Sequence, residues 1–157
     1  MSRNRTTTRA WSAGVGLAVA LGFTGCSSDA PKTTVQYRHE VNAVCRAARR
    51  AVAKLPKANA ADPVALVKAG RRALLDQRDA TRSLEALRRP AQLSRAARAW
   101  LVLVGRALNA IDDSLRAQAE SDLTAAERAN ASASKLVLEA DAAARGLGVL
   151  DCATPPT

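Results

Sequence analysis

From Leu93 to Leu115 an apolar residue returns every three or four positions: Leu93, Ala97, Trp100, Leu101, Val104, Leu108, Ile111 and Leu115. That spacing places all eight on one face of a helix, whereas a half-buried strand would alternate by two. Pro90 bounds the stripe on one side, and Ser121-Asp122 marks a turn on the other. One amphipathic helix cannot bury its own stripe, so the rest of the chain must supply the cover. Trp100 is the largest candidate core residue, and its ring is the predicted packing centre.

Three further segments have the same character. After a predicted cap at Thr34, Tyr37, Val41, Val44, Cys45, Ala48, Val52 and Leu55 form a stripe that should end near Pro56. Asp62-Pro63 then reads as a helix start, an N-cap side chain followed by the residue that suits the first helical position. Two stripes compete in this second segment. One is Val67, Gly70, Leu74, Gln77, Thr81, Leu84 and Arg88, and the other is Leu66, Ala73, Ala80 and Leu87. The second is more apolar and is the expected core face. Gly70 weakens a helix by about 1 kcal/mol relative to Ala, or else lets a neighbour come close. Thr124-Ala125-Ala126-Glu127 fits a capping box for the last segment. Its stripe is Ala126, Ala129, Ala133, Leu136, Val137, Ala140 and Ala144, with Gly146 and Gly148 available to end it through a left-handed cap. The 36 alanines and 19 arginines agree, being good helix formers, and strand-preferring residues are few. Four amphipathic helices of about 20–27 residues joined by short loops predict an all-α, antiparallel up-down-up-down four-helix bundle.

The first residues stand apart from that domain. Arg3, Arg5 and Arg9 make a positive start, and Trp11 to Phe23 an apolar stretch too short to span a bilayer, which takes roughly 18 or more apolar residues. This is the layout of a secretory signal. It carries no Arg-Arg pair, which favours general secretion over the twin-arginine route. Ala20-Leu21-Gly22-Phe23-Thr24-Gly25-Cys26 resembles the bacterial lipobox, with Phe23 standing where Leu is usual. The resemblance implies cleavage before Cys26 and acylation of its sulfur; ordinary cleavage nearby would instead leave Cys26 a free thiol. The expected division is a signal peptide over 1–25, a lipidated cysteine and tether over 26–33, and the four-helix domain over 34–157. The expected location is the cell membrane, lipid-anchored on the extracytoplasmic side, where each buried CH₂ of an acyl chain contributes about 0.8 kcal/mol.

That compartment decides how the other cysteines and the charge are read. With Cys26 acylated, Cys45 and Cys152 remain, and two cysteines in an oxidising setting are expected to pair. The bundle allows it. Cys45 sits about ten residues into the first helix, roughly 15 Å along it, and Leu147 to Cys152 can run back about that far from the end of the fourth. A metal site is not expected, because His39 is the only histidine and no cysteine pair has zinc spacing. The net charge is +10, and it is uneven: Lys32 to Arg89 holds 14 basic and 5 acidic residues, Pro90 to Thr157 holds 7 and 8. In a cytoplasmic protein this would suggest nucleic acid, but an exported chain without an aromatic stacking set does not fit that reading. Anionic lipid, an acidic envelope polymer or another envelope protein are the partner classes that suit a basic front half, with Arg49, Arg50, Arg71 and Arg72 as candidate contacts. A solvated arginine-rich face is the plain alternative.

Tyr37 with Cys45 eight positions on, Leu87-Arg88-Arg89-Pro90 in mid-chain, and the closing Gly146-Leu147-Gly148-Val149-Leu150-Asp151-Cys152 together resemble a group of small actinobacterial secreted lipoproteins. The resemblance implies a helical domain with paired end cysteines and carries over no catalytic residue.

The residues themselves offer little catalysis. His39 lies beside Glu40, no Ser-His-Asp set, nucleophile elbow or phosphate loop is present, and no Glu-x-x-His di-iron pattern occurs. Asp112 and Asp113 diverge by about 100° on a helix, and Asp112 is placed to pair with Arg116, as Arg72 is with Asp76. No catalytic residue and no cofactor are expected. The expected function is a non-catalytic binding or adaptor domain held at the membrane. The alternative is a small-ligand carrier with a pocket between the helices, where alanine and Gly70 could leave room.

Overall fold

The first, second and fourth helices start where a side chain takes up a free N–H group, whereas the third follows Pro90 without a side-chain cap. The computed structural model describes residues 32–59 and 61–154; the predicted signal peptide, the predicted lipidation site at Cys26 and most of the predicted tether lie outside the described residues. Helix α1 spans Thr34–Ala53, α2 Pro63–Ala86, α3 Ala91–Ala119 and α4 Leu123–Leu147, followed by a 3-10 turn over Leu150–Cys152. Among the described residues there is no strand. The α1 cap is Thr33, one residue before the predicted Thr34, and it forms a capping box with Gln36. Asp62 caps α2 as expected, its carboxylate accepting from the Ala65 N–H at 3.0 Å. For α4 the predicted box of Thr124 and Glu127 is not used. Asp122 comes first out of the preceding turn and accepts from the Ala125 N–H at 2.9 Å, so the helix begins earlier.

The helices form an antiparallel four-helix bundle in which α1 neighbours α2, α2 neighbours α3, and α3 packs along most of α4. Ion pairs and close approaches give the register: Arg78 on α2 reaches Asp112 on α3, and Gly70 lies against Leu115. With 20 and 29 residues, α1 and α3 are about 30 and 44 Å long. The shorter α1 therefore covers one end of the bundle and leaves the other, made by the start of α2, the end of α3 and the start of α4, without it.

Tyr37, Val41, Leu84, Trp100, Leu101, Ala144, Leu147 and Val149 belong to the main core cluster, at the end where α1 starts and α4 finishes. Trp100 is only 2% exposed and lies within it, as its place on the stripe predicts. In α2 the expected core face is overturned in part, since Leu87 of the expected stripe packs against the main core cluster but the other stripe supplies the buried residues. Val67, Leu74 and Leu84 of the more polar stripe are buried, whereas Leu66 is exposed. The reason is size at the contact: Gly70 on that stripe admits Leu115 so closely that a Cβ there would lie 2.6 Å from its Cδ2, and Gln77 and Thr81 are half-buried at the rim. Leu74, Leu108 and Leu115 form the smaller cluster further along.

The fourth side of the bundle is closed by the C-terminal tail. Gly148, at φ 72°, turns the chain back out of α4, and residues 149–154 then run alongside α1. On the α1 side the Asp151 N–H donates to the Asn42 side chain at 3.0 Å, Arg46 pairs with Asp151, and Arg49 donates to the Ala153 carbonyl. On the α4 side the Thr154 N–H donates to the buried Asp141 carboxylate at 3.1 Å, and Arg145 donates to the Thr154 carbonyl at 3.0 Å. Cys45 and Cys152 are joined in a disulfide that closes a sequence separation of 107 residues.

Candidate functional site

The four arginines marked by the sequence do not share one face. Arg49 turns toward the tail and spends an N–H on the Ala153 carbonyl. Arg50 is exposed in the last turn of α1, where a cation suits the negative end of the helix dipole. Arg71 and Arg72 are adjacent on α2 and diverge. Arg72 leans toward the loop after α1 and lies 3.8 Å from Asp76, the pair expected from their spacing. Arg71 leans toward the end of α3.

The cations that do gather lie around the first turns of α2. One groove, of about 390 Å³, runs between the loop after α1 and α2; Leu55, Pro56, Ala65 and Ala69 give it apolar walls, and Lys57, Lys68 and Arg72 line it too. A second, of about 410 Å³, runs between α2 and the end of α3, lined by Pro63, Val64, Val67 and Ala119 with Lys68 and Arg71. Lys68 belongs to both, and neither is lined by an acidic side chain. Val64 beside them is 78% exposed and Leu123 at the start of α4 is 71% exposed. Lys57 and Lys68 are not among the contacts expected from the sequence. Lys68 was legible, lying three and four positions before Arg71 and Arg72 on one helix; Lys57 is placed by the loop, which has no such period.

A third feature is a cleft of about 270 Å³ bounded by α1, α2, α3 and the tail. The disulfide, Leu84, Trp100 and Val104 line it together with Arg49, Gln77, Thr81 and Asp151. It does not lie where Gly70 was expected to leave room, since Leu115 fills that space.

Elsewhere the charged groups are used structurally. Asp112 lies 3.7 Å from Arg116 as expected, and also 3.1 Å from Arg78 of the neighbouring helix, a link across helices that spacing within one helix cannot show. Asp113 takes Arg116 at 3.3 Å. His39 is exposed, and Glu40 pairs with Lys32. Arg38 donates to the Leu147 carbonyl at 2.7 Å, tying the start of α1 to the end of α4. The Tyr37 hydroxyl is sealed in the core. Burial pushes its pKa up; the charge and N–H groups of nearby Arg89 oppose that, without reaching hydrogen-bond geometry. Among the described residues no group of three or more His, Cys, Asp or Glu side chains could hold a metal ion, and no helix is long and apolar enough to cross a membrane. No protein-family model, curated protein or solved structure matches the chain.

Proposed function

We propose that this is an extracytoplasmic adaptor, anchored in the membrane by acyl chains on Cys26, whose non-catalytic helical domain binds an acidic partner in the cell envelope. The observation that carries the reading is the crowding of Lys57, Lys68, Arg71 and Arg72 around two apolar grooves that no carboxylate lines. Three of those four cations have no ion pair among the described residues, so their charge is available to a partner. Such contact is attractive over about a Debye length, roughly 8–10 Å at moderate salt, and weakens as salt rises. The grooves add apolar area that salt does not screen.

The placement of the surface suits the anchor. The tether would join the domain at the start of α1, and the basic grooves lie at the opposite end, about 30 Å along the 20-residue helix. A domain held at one end would present the other to whatever lies beyond the membrane. Anionic headgroups could be reached only by a domain lying on its side.

Two measurements test this. The anchor is checked by the intact mass, without reduction, of native protein from the membrane fraction: a chain starting at Cys26, with acyl mass added and two hydrogens missing, is expected. An unacylated mass removes the compartment on which the reading depends. The adaptor role is checked with a variant carrying Lys57→Glu, Lys68→Glu, Arg71→Glu and Arg72→Glu in an acyl-free form. Its association with isolated envelopes should be lost at low salt, while the unmodified acyl-free domain binds there and is released as salt rises. Equal association of the two forms sinks the proposal.

A further inference from the structure

The cleft beside the disulfide lies apart from the basic end and has a chemistry of its own. Its apolar walls are Leu84, Val104 and the Cys45–Cys152 bridge. Two of its polar side chains, Trp100 and Gln77, carry donors without a partner among the described residues. Trp100, 2% exposed, has no hydrogen-bond partner among the described residues. Among those residues, only the Tyr37 hydroxyl and Arg89 Nε are both sealed from solvent and unpaired. The small part of Trp100 that stays accessible therefore includes its indole N–H, and this cleft is the opening Trp100 lines. An indole N–H that solvent reaches keeps its donor capacity, and an incoming acceptor takes the place of water there. The Gln77 side-chain amide, also lining the cleft, has no partner either.

Charge points the same way. Two groups at the cleft are ionised, Arg49 and Asp151, and they are not equally free. Asp151 is already paired with Arg46. Arg49 has no ion pair among the described residues and donates to the neutral Ala153 carbonyl, which fixes one N–H and leaves the rest of the guanidinium unspent. Thr81 gives its proton to the Gln77 carbonyl at 2.9 Å and so can only accept.

We propose that this cleft binds a small organic carboxylate, the anionic group held by Arg49, Gln77 and the Trp100 N–H, and the apolar body against Leu84, Val104 and the disulfide. The size agrees: about 270 Å³ falls just under the roughly 300–1,000 Å³ of pockets for drug-sized ligands, so the ligand is small. The tail makes the cleft, because Asp151, Cys152 and Thr154 form one of its walls. The site does not depend on the basic grooves, and either can fail without the other.

The test uses the full chain carrying Trp11→Phe, which leaves Trp100 as its one tryptophan. The indole N–H resonance of Trp100 is followed by ¹H–¹⁵N spectroscopy while sodium benzoate is added at constant ionic strength, with neutral benzamide as the control of equal shape. Benzoate should move the resonance saturably, and benzamide should not. Arg49→Gln should weaken benzoate about tenfold or more, as expected for loss of a hydrogen bond to a charged group. Gln77→Leu should weaken it severalfold while keeping the Arg49 contact with the tail, and it carries the test if Arg49→Gln loosens that segment. No saturable shift up to roughly tens of millimolar, an equal response to benzamide, or undiminished affinity in both variants overturns the proposal.

Discussion

The two ends of this bundle solve the burial problem differently. Where α1 begins and α4 ends, four helices and the returning tail enclose Tyr37, Trp100, Leu101, Leu147 and Val149 in one cluster, closed by the disulfide. At the other end α1 is missing, the cluster shrinks to Leu74, Leu108 and Leu115, and α4 contributes Ala126 and Ala133. Alanine lets α3 and α4 come close but removes little apolar area from water, on the order of 25 cal/mol per Å² buried. Exposed apolar side chains occur at both ends, Val64 and Leu123 here and Val35 and Leu150 at the stapled one. The larger core lies at the stapled end and the groove-lining cations at the open one.

The largest test of this contrast is the staple. A loop of this size predicts about 4–5 kcal/mol from the chain-entropy model, so Cys45→Ser with Cys152→Ser should lower the urea midpoint by most of the domain's margin. Hydrogen exchange would locate the loss: amides of residues 149–154 and the first half of α1 should lose protection before those of α3. Loss spread evenly over the chain would mean that the two ends are not distinct. Next comes the core itself. Trp100→Ala should cost about 3–5 kcal/mol, whereas Leu115→Ala, in the smaller cluster, should fall near 2–3 kcal/mol, the low part of the leucine range. Equal losses in matched denaturant curves would erase the comparison.

Much of this was legible in the sequence. The α3 and α4 stripes name most of the buried residues, missing Ala107, Ser114, Ala117, Asp141 and Leu147, while Asp62-Pro63 starts α2 and Gly148 ends α4. The disulfide follows from a compartment argument and a helix length. What was not legible came from contacts between segments. The α2 core face was misjudged because apolar count ranked Leu66 above Gly70, and the value of Gly70 exists only once Leu115 of another helix is present. The pairing of Arg78 with Asp112 depends on helix register in the same way. The cleft needed the tail, a segment without period, to be laid along α1. The basic grooves were half visible: Arg71 and Arg72 were named, Lys68 could have been, and Arg49 was claimed by a backbone carbonyl no spacing rule predicts.

Tyr37 gives a smaller effect that reports on the stapled end alone. It is the only tyrosine, so its ionisation can be followed by ultraviolet absorbance without assignment. Burial raises its pKa from the ordinary value of 10.0, with Arg89 opposing. A phenol with a raised folded pKa keeps its proton in the fold longer than in the unfolded chain. Its contribution is therefore complete below pH 10 and is lost as pH rises through the folded value. Stability should decline on the alkaline side of pH 10, and Tyr37→Phe should remove that decline. At neutral pH the same change should be close to neutral, because it also removes a buried hydroxyl that has no partner. A Tyr37 titration at or below pH 10 would show that its end of the bundle is open to water.

The smallest effect compares how the two long helices stop. Both α3 and α4 end in a Schellman motif. After α3 the Asp122 N–H donates to the Ala117 carbonyl at 2.9 Å and the Ser121 N–H to the Gln118 carbonyl at 3.1 Å. After α4 the Val149 N–H donates to Ala144 at 3.0 Å and the Gly148 N–H to Arg145 at 2.9 Å. The left-handed position is glycine at the stapled end, φ 72°, but serine at the open end, φ 60°. A Cβ there costs about 1–2 kcal/mol, whereas glycine adds about 0.4–1 kcal/mol of unfolded-state freedom. Ser121→Gly should therefore stabilise the domain by about 0.5–1 kcal/mol, the difference of those two effects. Gly148→Ala should destabilise it by more than Ser121→Gly gains, because the added Cβ would lie 2.9 Å from Arg38 Nε and disturb the Arg38 bond to Leu147. Melting curves of the two variants should move in opposite directions. A rise for both would mean that the α4 turn relaxes when its glycine is replaced, and that the stapled end is no more constrained than the open one.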